Sequence, residues 1–179
     1  MALIRRRLLA CTALACAAVT AAPVVASAAT PPEPTAVSGR WRTECMLDGF
    51  VIGHLPGGLG ALRTDFTYRW EEVTFHSRVW ETGPDNDGGY RVDLTIKTLR
   101  SPTLTDLETV RAFLAEYLEQ DPAQWPVRPV RVGRYNGYRT DDQLFWFVSE
   151  GVAAAVTIDR GRFAEADLLS TARGFQPAD

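Results

Sequence analysis

The sequence predicts an α+β domain in which a curved antiparallel sheet of about 6–8 strands carries two helices packed on one face. Two observations support this class. Segments with apolar side chains at every second position, the period of a half-buried strand, occur before and after a segment of helical periodicity. A second helical segment closes the chain, and grouped strands and helices are typical of α+β domains.

The first half of the globular region predicts a meander of strands. Residues 50–52 form a short apolar run. Aromatic and polar residues alternate over residues 66–70, and the same period continues at residues 73–79 and 92–96. A turn-rich segment, residues 83–89, separates the last two runs. Alternation of this kind indicates an antiparallel sheet with one face in water.

The first helix is predicted from its start signal and its apolar stripe. Thr105 and Glu108 have the spacing of a capping box, in which each side chain accepts a hydrogen bond from the backbone of the other. Asp121-Pro122 ends the helical pattern. The apolar residues that share one side of this helix are Leu107, Val110, Phe113, Leu114, Tyr117 and Leu118.

The second half of the chain returns to strands and ends in a helix. Residues 127–132 contain a proline and predict an edge strand, followed by a turn at residues 133–137. Residues 144–148 and 152–158 are continuous apolar runs, which predict central strands covered on both faces. Residues 163–173 have helical spacing and precede a glycine, the usual residue at a helix end.

The first 28 residues resemble a secretion signal. Three arginines at positions 5–7 precede an alanine-rich apolar run, and residues 26–28 are small, as signal peptidase requires. We expect cleavage after Ala28, by either the Sec or the twin-arginine route, and a location outside the cell or at the cell envelope. A proline-rich tether at residues 29–39 and one globular domain at residues 40–176 would follow.

Removal of the signal changes what the composition means. The chain of 179 residues has a formal net charge of −3, and residues 1–28 hold three arginines and no acidic residue, so the remainder carries −6. This acidity argues against nucleic-acid binding. One of three cysteines, Cys45, remains, which excludes a disulfide-stabilised miniprotein. No later run approaches 18 apolar residues, so we expect no transmembrane segment in the mature chain.

The aromatic strand is the candidate ligand-binding feature. Phe66, Tyr68 and Trp70 share one face of it, and Trp80 lies in the next strand. Such a face could bind a sugar, a peptide or a lipid, because exposed apolar patches on monomers are usually functional. A stripe of aromatic residues is more often part of a sheet core, and this alternative stays open.

Residue types that carry catalysis or bind metals are sparse. His54 and His76 are the two histidines, with no ligand spacing around them, so we expect no metal and no cofactor. We expect Cys45 to be a buried small residue, and an intermolecular disulfide or a nucleophilic role stays open. Ser77 adjoins His76, yet neighbours on a strand point to opposite faces. The evidence for an enzyme is therefore weak.

Other short motifs have ordinary structural explanations. Gly57 to Gly60 lacks the Lys-Ser/Thr of a phosphate-binding loop, so we interpret it as a turn. Glu71-Glu72 and Asp141-Asp142 are adjacent acids in predicted turns and are best explained as solvated charge. Residues 83–89 contain two aspartates without the final glutamate of a calcium loop, which predicts a hairpin turn.

Short motifs in the second half resemble a known domain. The order is a glycine turn, a tryptophan strand, a glycine-started strand and a closing helix: Val132-Gly-x-x-Asn136-Gly-Tyr138, Leu144-x-Trp146, Gly151-x-x-x-x-Val156 and Asp167-Leu-Leu-x-x-Ala172. Together with Leu55-Pro56-x-Gly58, this pattern resembles a Gram-positive extracytoplasmic domain of unknown function, found in sporulation lipoproteins and anti-sigma-factor-associated proteins. The arginine-rich composition also resembles secreted actinobacterial proteins. The resemblance implies no catalytic residues. Related folds, in lipoprotein carriers and envelope-stress regulators, are half-open sheets covered by helices, and this likeness adds a hydrophobic ligand to the expectations.

These observations favour a secreted, non-catalytic binding or interaction domain at or outside the cell envelope. Its partner would be an unknown protein or an apolar ligand. A carrier or sensor of an apolar ligand or lipid in a cleft between sheet and helix is one alternative, and it requires the aromatic face to line a cavity. A small secreted hydrolase is the second, and it requires a cysteine or serine hydrogen-bonded to His54 or His76 with an acid behind it.

Overall fold

A computed structural model describes residues 45–178, so the predicted signal, its cleavage site and the tether lie outside the described residues. The part described contains ten strands and two helices. In chain order they are β1 (Met46–Leu47), β2 (Phe50–Ile52), β3 (Leu62–Trp70), β4 (Val73–Thr82), β5 (Arg91–Arg100), α1 (Leu107–Tyr117), β6 (Arg128–Val132), β7 (Tyr135–Arg139), β8 (Gln143–Ser149), β9 (Val152–Ile158), α2 (Glu165–Gly174) and β10 (Phe175–Pro177).

The strands form two antiparallel sheets. The larger sheet has seven strands in the order β3-β4-β5-β9-β8-β7-β6, and the smaller has the order β1-β2-β10. The predicted α+β class with an antiparallel sheet and two helices is confirmed. No helix within residues 45–178 combines the length and the apolar character that are needed to cross a membrane.

The helices cover opposite faces of the large sheet, rather than the single face that we expected. Ala153 and Ala155 of β9 pack in a core with Leu114 of α1. Their neighbours Ala154 and Val156 pack in a second core with α2 and the small sheet. Successive residues of a strand point to opposite faces. Because the continuous apolar runs of β8 and β9 place apolar side chains on both faces, each face needs a cover of its own.

The start of α1 lies one residue later than the capping box that we predicted. Asp106 is the N-cap, and its Oδ1 accepts a hydrogen bond from the backbone N–H of Thr109 at 2.8 Å. Thr109 Oγ1 in turn accepts from the backbone N–H of Asp106 at 3.0 Å. The threonine hydroxyl thus takes the role predicted for Glu108, because with Asp106 as N-cap the third helical residue is Thr109.

The two edge strands differ in how they are protected. β6 lies at one edge of the large sheet, as its proline predicted, because Pro129 has no N–H to donate to a further strand. β3 forms the other edge and is largely exposed. The turn after β6 is tighter than the five residues predicted, since Tyr135 already pairs with Val132 as the first residue of β7.

Candidate functional site

Helix α1 covers only part of its face of the sheet. Under the helix, Phe75, Leu99 and Ala153 lie on neighbouring strands and are fully buried. In β5 the next residues on this face are Lys97 and Thr95, both only partly buried. On β5 the face therefore changes from apolar to polar, and the polar end has no helix above it.

The register of the strands places a polar patch beyond α1. Lys97 pairs with Ser77 on β4 on one side. Thr95 pairs with Thr157 on β9, which in turn pairs with Gln143 on β8. Four neighbouring strands thus contribute side chains that can donate hydrogen bonds to one surface.

Two cavities share Thr95 and Lys97, and together we call them the open groove. The first has a volume of about 540 Å³ and extends toward the end of α1 and β8, where its lining includes Leu118, Gln120, Trp125, Arg128, Asp141, Asp142, Gln143 and Thr157. The second has a volume of about 510 Å³ and extends toward β3, where its lining includes Phe66, Tyr68, Ser77, Val79, Val92 and Tyr117. Volumes of this size are typical of sites for small molecules.

Lys97 is the chain's one lysine. No carboxylate within residues 45–178 forms an ion pair with it. Burial lowers the pKa of Lys97, because removal of water disfavours the charged ammonium. The ammonium lies 5.7 Å from the ring centroid of Tyr117, which offers a weak cation–π contact.

A pair of tyrosines forms the wall between the groove and the packed core under α1. The hydroxyls of Tyr68 and Tyr117 are 2.8 Å apart and share a hydrogen bond. Burial, and then the bond with Tyr117, raises the pKa of Tyr68 well above its usual range, so this phenol is neutral. Of the two phenol protons, one is used in the shared bond and the other can be donated to a ligand.

The structure separates the four aromatic residues that we predicted as a binding surface. Phe66 is 45% exposed, stacks on Tyr68, and both line the groove. Trp70 instead packs edge-on against Phe113 and Tyr117 of α1. Trp80 is buried in the core on the opposite face, because it falls on an even position of β4 whereas the groove residues of that strand are odd.

A second polar cluster lies on the other face of the sheet. His76 Nδ1 lies 3.1 Å from Thr67 Oγ1, and His76 Nε2 lies 3.7 Å from Asp48 Oδ1. Asp48 also accepts hydrogen bonds from Thr98 at 2.6 Å and from the guanidinium of Arg100 at 2.7 Å. The hydroxyl, imidazole and carboxylate types match a hydrolase triad. However, 3.7 Å exceeds a hydrogen bond, and Arg100 already neutralises Asp48.

The other candidates for catalysis are not brought together. Cys45 is exposed, which corrects our expectation that it is buried. It precedes β1 at the surface. Its backbone carbonyl, rather than its thiol, accepts a hydrogen bond from the backbone N–H of Ile52. His54 is also exposed, and Ser77 is buried on the face opposite His76. Within residues 45–178, no three His, Cys, Asp or Glu side chains are grouped as a metal site.

The glycine loop at residues 57–60 is held by a buried charge that the sequence analysis missed. Asp93 is fully buried and accepts hydrogen bonds from Gly60 N–H at 2.8 Å, from Thr82 Oγ1 at 2.6 Å and from Arg162. Arg162 also donates to the carbonyl of Gly58 at 2.9 Å. The loop is therefore a structural turn, as predicted. The backbone N–H of Gly60 is hydrogen-bonded to Asp93 within the fold.

Comparison with models of known protein families, with curated proteins and with solved structures found no match. The open groove and the cluster at His76 are therefore assessed by their own chemistry.

Proposed function

We propose that the protein is a secreted, non-catalytic binding protein and that its ligand occupies the open groove beside α1. One observation supports this most: α1 leaves part of its sheet face uncovered, and there Phe66 and Val92 stay 45% and 48% exposed beside the unpaired Lys97. Exposed apolar side chains next to an uncompensated charge are unfavourable in an empty site and favour a ligand.

The ligand lies beside the helix in this proposal, not beneath it. A carrier site between sheet and helix, one of our alternatives, would have to displace Leu114 of α1 from Phe75 and Phe145 of the sheet, all of which are 0–1% exposed. Displacing buried side chains of this size costs several kcal/mol. A small molecule of apolar character can enter the open groove without this cost.

Binding of a neutral aromatic probe tests the proposal. N-phenyl-1-naphthylamine, whose fluorescence rises in apolar surroundings, is titrated into the purified protein. We expect saturable binding, and we expect Phe66→Ala to weaken it about tenfold, since the ring supplies much of the apolar wall. Leu55→Ala is the matched control, because Leu55 is similarly exposed (39%) and lies outside the groove. Absence of saturable binding, or equal effects of both variants, contradicts the proposal.

The proposed location outside the cell rests on residues 1–28 and on the resemblance to extracytoplasmic domains. We expect the intact mass of protein recovered from the culture medium or the cell envelope of a Gram-positive host to correspond to a chain that starts at Ala29. Protein that is recovered from the cytoplasm with all 179 residues contradicts the export proposal.

Hydrolysis at His76 is a second candidate function, because Thr67 Oγ1 lies within hydrogen-bond distance of the imidazole. Turnover of p-nitrophenyl acetate tests it. If His76→Gln and Thr67→Val both abolish a turnover that the parent protein shows, the hydrolase is supported and the non-catalytic proposal fails. We expect no turnover that depends on either residue, because Asp48 is paired with Arg100 and too distant to orient His76.

A further inference from the structure

We propose that the open groove selects an amphipathic anion, with its acidic head group at Lys97 and its apolar body against Phe66 and Val92. This inference rests on the proposed binding function and adds the chemical class of the ligand. The head group is a carboxylate, sulfonate or phosphate, and the body is an aromatic ring or a short alkyl chain.

Hydrogen-bond donors converge at the head-group position. Lys97 supplies an ammonium with three N–H donors, and Thr95 and the Tyr68–Tyr117 pair supply hydroxyls on the same cavity wall. Among the described residues, no acidic side chain lines the cavity that extends toward β3. A site with a cation, several hydroxyls and no carboxylate is complementary to an anion.

The acidic residues of the groove are at its other end and are already partnered. Asp142 accepts a hydrogen bond from Thr140 Oγ1 at 2.8 Å. Asp141 is 87% exposed and lies 3.8 Å from the guanidinium of Arg128. These two acids line only the first cavity, so they favour seating of the anion toward β3 rather than toward β8.

The cost of the unpaired lysine supports the same ligand class. A partly buried ammonium without a counter-ion loses hydration and gains no charge partner, whereas an acidic head group would supply one. A lysine whose ammonium is solvated away from the ligand would favour an anion only weakly, because water and salt screen its charge. The size of the preference for an anionic ligand therefore distinguishes a lysine that contacts the ligand from one that has only a structural role.

The apolar part of the groove limits the size of the body. Phe66, Val79 and Val92 supply ring and alkyl surface on the β3 side. The cavity volume of about 510 Å³ there admits a molecule with one or two rings or a chain of similar bulk. A body of this size matches the apolar wall, so we infer a compact ligand.

Two probes with the same aromatic body test the inference. 8-Anilinonaphthalene-1-sulfonate carries a sulfonate, and N-phenyl-1-naphthylamine is its neutral counterpart. We expect the protein to bind the sulfonate at least about tenfold more tightly. Lys97→Met should bring the ratio of the two dissociation constants close to one while the neutral probe still binds, and Lys97→Arg should retain the preference.

Arg134→Met is the control, because Arg134 is an exposed cation that lies over the ring of Tyr135 and is not among the residues that line the groove. We expect it to leave the ratio unchanged. Equal affinities in the parent protein, or a ratio that Lys97→Met does not change, overturn the inference while the proposed function stands. Failure of both probes to bind overturns the proposed function as well. Should Lys97→Met not fold, competition by octanoate against octanol on the parent protein gives the same answer, and equal competition contradicts it.

Discussion

Tyr68 and Tyr117 are joined by a hydrogen bond of 2.8 Å between their hydroxyls, which connects edge strand β3 to the last turn of α1. The bond stands at the border between the part of the sheet that α1 covers and the part that it leaves open. Tyr68 also stacks on Phe75 with a centroid distance of 4.7 Å, so one face of its ring belongs to the core while its hydroxyl lines the groove.

Tyr117→Phe should weaken this connection. We expect the free energy of unfolding to fall by about 1 kcal/mol, the usual net value of one hydrogen bond. The pKa of Tyr68 should move part of the way back toward its usual value, because burial, its main cause, remains. The folded state favours the neutral phenol, so stability should fall as the pH rises above about 10, and less steeply in the variant. Ultraviolet titration of the phenols and urea denaturation check both, and an unchanged titration contradicts the assignment.

Arg162→Ala should be among the most destabilising substitutions at a charged residue. It removes the closer of two guanidiniums from the fully buried carboxylate of Asp93 and leaves only that of Arg91, whose Nε lies 4.0 Å away, and breaking a buried pair in this way costs about 3 kcal/mol or more. Arg128→Ala is the control, since its pair with Asp141 is exposed and should be worth less than about 1 kcal/mol. Urea denaturation measures the difference. Similar losses in the two variants would show that Thr82, Gly60 and the more distant Arg91 are sufficient to hold Asp93.

The stability of the fold should decrease in acid. The hydrogen bonds from Arg78 lower the pKa of Asp65. Burial alone would raise the pKa of Asp93, but the donors from Arg162, Thr82 and Gly60 together hold it below its usual value. Carboxyls with a lowered pKa in the folded state stabilise it at neutral pH, and this contribution is lost as the pH falls below about 4.

Asp65→Asn should therefore reduce the slope of stability against pH in this acidic range, when thermal unfolding is followed from pH 6 to pH 2. Asp141→Asn serves as the control because its carboxylate is 87% exposed. If Asp65→Asn leaves the slope as steep as in the parent protein, Asp65 does not contribute to the acid sensitivity.

Two glycines of the same loop should respond oppositely to alanine. A Cβ atom at position 60 would lie 1.9 Å from the carbonyl oxygen of Glu81, so the loop or β4 must shift. We expect Gly60→Ala to cost on the order of 1–3 kcal/mol, as overpacking does. No atom lies within 4 Å of a Cβ at position 57, so Gly57→Ala should be neutral or slightly stabilising. Equal melting temperatures of the two variants would contradict the close approach at Gly60.

The exposed thiol of Cys45 should form a disulfide between two copies of the chain. The proposed export would bring the protein into oxidising conditions, and the described residues contain no second cysteine to pair within the chain. We expect a dimer on non-reducing gel electrophoresis after mild oxidation, which is lost in Cys45→Ser or on addition of a reductant. A chain that stays monomeric after oxidation contradicts this expectation.

Strand periodicity was the sequence signal that predicted the fold best. The central strands β8 and β9 are buried on both faces, as their continuous apolar runs predicted. Because these runs are apolar on both faces, each face must be covered. The order of the elements along the chain does not determine which helix covers which face. The face that each helix covers depends on the path of the connecting segments, which the sequence pattern does not give. For this reason the sequence predicted both helices on one face.

The groove could be predicted only in part. The alternation of residues 66–70 identifies Phe66 and Tyr68, while Lys97 follows the alternating run of residues 92–96 and carries no signal of its own. A polar residue on a strand signals exposure, but the sequence does not show how far a helix extends over it. Similarly, Asp93 gave no sign of burial, because its partner Arg162 is 69 residues away in the chain.

Partial cover of the sheet by α1 also links ligand binding to thermal stability. A ligand in the groove would shield Phe66 and Val92 from water and would neutralise Lys97. These contacts exist only in the folded state, so binding would stabilise that state. Mass action then raises the unfolding free energy by about 2.7 kcal/mol when the free ligand is at 100 times its dissociation constant. The melting temperature is thus an assay for the proposed ligand that needs no knowledge of its identity.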